Sequence, residues 1–140
     1  MIQRKRLDFS KYIGIPYRTP DVDKVGLHCW ELVEKVMLEV FQIQPPVIAF
    51  SGTKENIEPM FMTHLQKWIT VDPVDVKVGD MVMLRIAGYP MHCGIMIGDN
   101  LMLHTLKGRN SCVENINNIQ WNKRVLGFYR WNDNESNKTN

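Results

Sequence analysis

The sequence predicts an α+β domain, with an N-terminal helical half packed on an antiparallel β-sheet. Two observations carry this expectation. In the first half, apolar residues recur at steps of three and four, the period of an amphipathic helix. After Pro73 the pattern changes to short apolar runs separated by Gly, Asp and Asn, the pattern of strands and turns. A helical half followed by a meander differs from the alternation of a βαβ fold. At 140 residues and 44% hydrophobic, the chain is long enough for one core.

In chain order, residues 1–11 read as an N-terminal arm, 12–131 as the domain and 132–140 as a polar, frayed tail. Ile13-Gly14-Ile15-Pro16-Tyr17 begins ordered structure, and Thr19-Pro20-Asp21 makes a loop. A helix is expected over 27–41, where Trp30, Val33, Val36, Met37 and Val40 form the apolar stripe. Glu31, Glu34, Lys35 and Glu39 point elsewhere, and Glu31 to Lys35 is a favourable i,i+4 pair. Pro45-Pro46 is expected to stop this helix. A shorter helix is expected over 59–68, with Pro59 in its first turn and Met60, Phe61, Leu65 and Trp68 as its stripe. Strands are expected over 81–86, 91–97, 101–105 and 125–131, with Gly79-Asp80 and Gly98-Asp99-Asn100 as turns.

Charge and cysteine usage narrow the function. A net charge of +2, from 17 basic against 15 acidic residues, argues against a dedicated nucleic-acid binder. Arg4-Lys5-Arg6 reads as a solvated arm. No apolar h-region follows the basic N-terminus, and no run is long enough to cross a bilayer. The expectation is therefore no signal peptide and no stable membrane insertion. Cys29, Cys93 and Cys112 contain no CxxC pair, so neither a disulfide framework nor a zinc site is expected, and no cofactor. His92 and His104 with Cys93 or Cys112 could be written as zinc ligands. On a regular strand, however, Cys93 faces away from His92.

Cys29, His92 and His104 are the candidate chemical groups. Cys29 falls at the start of the first helix, where unpaired N–H groups and the helix field favour a thiolate. His92 and His104 flank the Gly98-Asp99-Asn100 turn. A three-residue loop pairs Ile97 with Leu101 and Gly94 with His104, placing both imidazoles on one sheet face. A two-residue Asp99-Asn100 loop is expected to place them on opposite faces. With the histidines together, His92 can take the Cys29 proton while His104 holds the His92 ring. Tyr17 can donate to a developing oxyanion beside the Cys29 N–H. Each residue also has an ordinary structural reading: a buried thiol, partly buried strand histidines, a core tyrosine. Cys93 reads as a packing residue and Cys112 as part of a polar loop.

The same residues carry a family resemblance. Gly14-Ile15-Pro16-Tyr17-Arg18, Leu27-His28-Cys29-Trp30-Glu31-Leu32-Val33, Gly79-Asp80-Met81-Val82, His92-Cys93-Gly94-Ile95-Met96-Ile97-Gly98-Asp99-Asn100 and Leu103-His104-Thr105 together resemble the NlpC/P60 superfamily of cysteine peptidases. The resemblance spans roughly residues 9–131 and implies a papain-like fold. It implies Cys29 as nucleophile, His92 as base, His104 as orienting residue and Tyr17 as oxyanion donor. The implied substrate is a peptidoglycan stem peptide, with another cell-wall amide as an alternative. The Cys29-Trp30 pair and the N-terminus are similar to versions in tailed-phage tail tips. That likeness implies tail proteins as partners, and a virion tail or the host cytoplasm during assembly as location. Two departures stand out. His28 replaces the usual Asp before the cysteine, and Glu31 replaces the usual Gly two places after it. They keep open a second function class, a structural tail component with a weakly active or inactive domain.

Overall fold

A computed structural model of the chain describes residues 7–16, 27–45, 54–86, 89–106 and 108–131. The first helix, α1 (Leu27–Phe41), has the expected limits. Its three-four spacing buries Cys29, Trp30, Leu32, Val33, Val36 and Met37 on one side and leaves Glu31 and Lys35 exposed. The expected proline stop is corrected by the backbone. Gln42 adopts a left-handed conformation (φ 57°), and the Ile43 N–H donates back to the Met37 carbonyl at 2.9 Å. This return of the chain onto the last turn of the helix ends α1 before Pro45 is reached.

The second helix, α2 (Lys54–Leu65), begins earlier and ends earlier than expected, so Pro59 lies inside it and not in its first turn. Its stripe continues into the following tight turns, where Lys67 and Trp68 donate to the carbonyls of His64 and Leu65. Trp68 therefore stays on the apolar side without being helical. There it joins Trp30, Phe61 and His64 in edge-to-face contacts at centroid distances of 5.4–6.0 Å.

Six antiparallel strands form one sheet: β1 (Ile69–Val71), β2 (Met81–Ile86), β3 (Tyr89–Gly98), β4 (Leu101–His104), β5 (Cys112–Asn115) and β6 (Val125–Arg130). Their spatial order is β1-β6-β2-β3-β4-β5. The α+β class is as expected. β1 and β5 were not expected: β1 has only three residues, and β5 lacks apolar alternation. Cys112 thus lies on a strand and not in a loop.

Both sheet faces are covered. Met81, Met83, Cys93, Ile95 and Leu103 pack with α1 and α2, whereas Val82, Leu84, Met96 and Met102 pack with Ile116, Trp121 and Phe128. This explains the unbroken apolar run Met81–Leu84 of β2, since a strand buried on both faces needs no polar alternation there. Ahead of β2, the Asp80 carboxylate receives Arg130 Nε at 2.7 Å and Nη2 at 2.8 Å, and also the Lys77 N–H at 2.8 Å. That bidentate pair ties the turn to β6. Gly79 needs its positive φ of 101°, and an added Cβ would stand 3.1 Å from the Phe41 ring.

Residues 1–6 and 132–140 lie outside the described residues. Within the remainder of the expected arm, Phe9 packs on Phe41 at 6.0 Å between centroids. The following 3-10 turn, Ser10–Tyr12, buries Tyr12, whose hydroxyl donates to Glu39 at 2.8 Å. Among the described residues, no helix is long and apolar enough to cross a membrane.

Candidate active site

The β3–β4 hairpin places the two histidines. The expected Ile97–Leu101 pair does not form: Met96 pairs with Met102, and Gly98 pairs with Leu101 across an Asp99-Asn100 turn. The extra residue, Ile97, is absorbed as a bulge, and Asn100 takes the left-handed conformation (φ 60°). The bulge corrects the expectation that a two-residue turn separates the histidines. It restores the parity lost at the turn, so Gly94 still lies opposite His104. A Cβ on Gly94 would stand 3.2 Å from His104 Cβ and 3.1 Å from the Leu103 carbonyl oxygen. His92 and His104 share a face, with His92 Nε2 and His104 Nδ1 2.8 Å apart.

Behind them stands a residue that no local pattern singles out. His104 Nε2 is 2.6 Å from Glu114 Oε2. On β5, His104 is paired with Cys112 and Met102 with Glu114, so period-two alternation presents both Cys112 and Glu114 to the histidine face. Cys112 Sγ is 3.8 Å from His104 Nε2. The only available signal was the Cys112-Val113-Glu114 alternation, visible once β5 is known to be a strand. Trp121 roofs the pair, stacked on His92 at 6.1 Å and edge-on to His104 at 5.2 Å.

Cys29 reaches this group from α1. β3–β4 pairing runs from Gly98–Leu101 to Ile95–Leu103, so His92 and Cys93 project beyond the paired stretch of β4. Their side chains alternate across the sheet, yet both hydrogen-bond with Cys29. These bonds hold its thiol well below the ordinary range: the Cys93 side chain contributes most, then the His92 hydrogen bond and charge, against the opposing effect of burial. Cys93 moves the other way, pushed well above the usual thiol range by burial and by the neighbouring Cys29 sulfur. The two thiols therefore differentiate in direction, Cys29 becoming the more acidic of the pair and Cys93 the less. Cys93 faces away from His92 and packs, as expected, but it is also a donor to Cys29.

Hydrogen-bond polarity along the path is set from the carboxylate end. A carboxylate only accepts, so His104 Nε2–H donates to Glu114. Burial first, then the charge of His92, lowers His104 to about 4, which keeps its ring neutral near pH 7. A neutral ring protonated on Nε2 offers a lone pair at Nδ1, and His92 Nε2–H fills it. That assignment leaves His92 Nδ1 as the nitrogen able to exchange a proton with Cys29.

The expected site is thus only partly within view. Cys29, His92 and His104 are brought together, while Tyr17 and the segment between it and α1 lie outside the described residues, as does the side chain of His28. Upstream of Tyr17 the chain is held to the residue preceding β5: Gly14 and Ile15 N–H groups donate to the Ser111 carbonyl and hydroxyl at 2.8 Å each, and Ser111 N–H returns to Ile15 O at 2.9 Å. Glu31 is exposed.

The family model described as "NlpC/P60 family" matches residues 14–130. A protein of Escherichia coli K12 named "Murein DD-endopeptidase MepS/Murein LD-carboxypeptidase" is 24% identical over 116 residues, covering 83% of this chain and 55% of its own. A "Probable endopeptidase NlpC homolog" of Haemophilus influenzae is 25% identical over 113 residues, covering 81% of this chain and 54% of its own. The chain thus spans about half the length of the curated relatives it matches. A crystal structure of a Staphylococcus aureus protein described as similar to lipoprotein, NLP/P60 family, superposes with a TM-score of 0.58 at 17% identity. That match covers 86% of this chain and 37% of the other, and its likeness is one of fold. With the family model covering residues 14–130, the chain belongs to the NlpC/P60 family.

Proposed function

We propose that this chain is a cysteine endopeptidase that hydrolyses an amide bond in peptidoglycan stem peptides. The carrying observation is the hydrogen-bonded path from Cys29 through His92 and His104 to Glu114. His92 Nδ1 takes the Cys29 proton, and the thiolate attacks the substrate carbonyl carbon. The resulting oxyanion receives the Cys29 backbone N–H and the hydroxyl of Tyr17. His92 then returns its proton to the leaving amine, and an acyl-enzyme remains on Sγ. Water, deprotonated by His92, releases the acid and regenerates the thiol. His104 and Glu114 hold the ring and offset the charge it gains, without transferring the proton themselves. The murein-directed names of the relatives support the choice of substrate class.

Carriage by a phage tail, and tail proteins as partners, rest on the sequence likeness around Cys29-Trp30. The relatives named above bear bacterial names, and the proposed chemistry does not depend on the carrier. Action at the cell wall is part of the same proposal.

The test is incubation with defined stem peptides and intact muropeptides, read by mass spectrometry with Cys29→Ala as the blank. Products absent from the blank are expected. His92→Ala should remove most turnover, roughly 100-fold or more, and His104→Ala should leave more. Folded protein with reduced Cys29 that yields no product from any wall fragment would instead favour a structural tail domain.

A further inference from the structure

Strand pairing sets three metal-ligating side chains beside the histidine pair. His104 lies across from Cys112, and Glu114 follows two residues later on the same face of β5. His104 Nε2, Cys112 Sγ and a Glu114 carboxylate oxygen all lie within 4.8 Å of one another. A four-coordinate ion with bonds of about 2.0–2.3 Å holds its ligand atoms roughly 3.3–3.8 Å apart. The 3.8 Å between Cys112 and His104 already fits, and the 2.6 Å between His104 and Glu114 must open by less than about 1 Å. Imidazole, thiolate and carboxylate together suit a borderline ion such as Zn²⁺ better than the hard ions Mg²⁺ or Ca²⁺. Cys112 and Glu114 are half-buried, which gives an ion a route from solvent. Arg109 Nη2 lies 3.5 Å from Glu114 Oε2, and its side chain, 46% exposed, can turn outward when an ion takes its place.

We propose that His104, Cys112 and Glu114 form an inhibitory site for a divalent ion of the zinc class, with water as the fourth ligand. Its regulatory meaning rests on the peptidase reading above; binding itself does not. On binding, Cys112 loses its thiol proton to solvent and His104 Nε2 gives its lone pair to the ion. The His104 ring proton then resides on Nδ1, which becomes a donor to His92 Nε2. His92 must accept there and carry its own proton on Nδ1, facing Cys29. The base is then locked in the tautomer that cannot take the Cys29 proton. Occupying a site on β5 thus switches off the chemistry without touching Cys29. The absence of a CxxC pair concealed this set, because its three ligands come from two paired strands.

The experiment is a Co²⁺ titration of Cys29→Ala protein, which removes the competing Cys29 thiol. One ion per chain is expected, with a thiolate-to-cobalt charge-transfer band that Zn²⁺ displaces. Adding Cys112→Ala should abolish the band. Glu114→Gln on the Cys29→Ala background should weaken binding at least by the roughly 10–100-fold that loss of an outer-shell partner costs. In the unsubstituted protein, Zn²⁺ should inhibit cleavage reversibly on chelation, and C112A should cleave but resist Zn²⁺. No cobalt bound by Cys29→Ala, even in excess, would overturn the proposal, as would a band that survives C112A. If the cobalt result holds and no peptide is ever cleaved, the metal site stands and the peptidase reading fails.

Discussion

Lowering the pH should loosen the aromatic layer beneath the helices through a single buried histidine. Trp68 Nε1–H donates to His64 Nε2 at 2.8 Å, a bond that requires a lone pair on that nitrogen. Trp30, Phe61 and Trp68 surround the ring edge-on. Burial first, then the charge of Lys67, pushes His64 from the ordinary 6.5 down to about 4. Because the folded-state value lies below the unfolded one, the unfolded chain binds the extra proton between them. This contribution to stability is complete above about pH 6.5, declines as the pH falls, and is fully lost below about pH 4. At about 1.36 kcal/mol per pH unit the ceiling is about 3.4 kcal/mol. Residual solvent access at the ring reduces this to roughly 1–2 kcal/mol.

Urea unfolding of the wild type and of His64→Gln between pH 7 and pH 4.5 measures the effect. Glutamine keeps an acceptor for Trp68 but does not titrate, so the variant should lose about 1–2 kcal/mol less over this range. His104 titrates in the same window, so the difference between the proteins, and not the wild-type curve, isolates His64. Equal slopes for both proteins would refute the reasoning.

Two further predictions concern the site. Cys93→Ala should raise the Cys29 thiol pKa, because Cys93 is the largest of the groups lowering it, read as an upward shift in the pH profile of alkylation; an unchanged profile would remove Cys93 from the activation of Cys29. Gly94→Ala should cost roughly 1–3 kcal/mol in unfolding measurements and displace His104, because the new Cβ meets a sheet carbonyl that cannot retreat; wild-type stability would show that β4 yields more easily than its pairing suggests.

Helix α1 was legible because Trp30, Val33, Val36 and Met37 repeat at the helical period over fifteen residues, and the runs at β2, β3, β4 and β6 were legible from apolar clustering and turn residues. What escaped was decided by tertiary contact. Pro59 suggested a first turn because proline is commonest there, yet the helix extends through it. β5 carries half-buried residues throughout and gains its strand character from pairing with β4. Nothing local in Cys112-Val113-Glu114 states that a neighbour waits to be paired.

The site divides the same way, and the division shows what local sequence can encode. Cys29 and the two histidines could be found because each sits on an element with its own periodic signature. The expectation that they meet was right in placement and wrong in reason: the turn has two residues, and the Ile97 bulge supplies the compensating one. Bulge and turn are therefore a single unit, since changing either alone by one residue would send His104 to the helix side of the sheet. Glu114 depends on a further register, that of β4 against β5, and becomes relevant only after the first is correct. Trp121, which packs against both imidazoles, comes from irregular turns after β5 with no period at all. The reactive atoms are thus encoded locally, whereas the groups that set their proton affinities are encoded by successive registers. A one-residue slip at the first hairpin would leave Cys29 and His92 in place and remove both His104 and the carboxylate that fixes the hydrogen-bond polarity of the two rings.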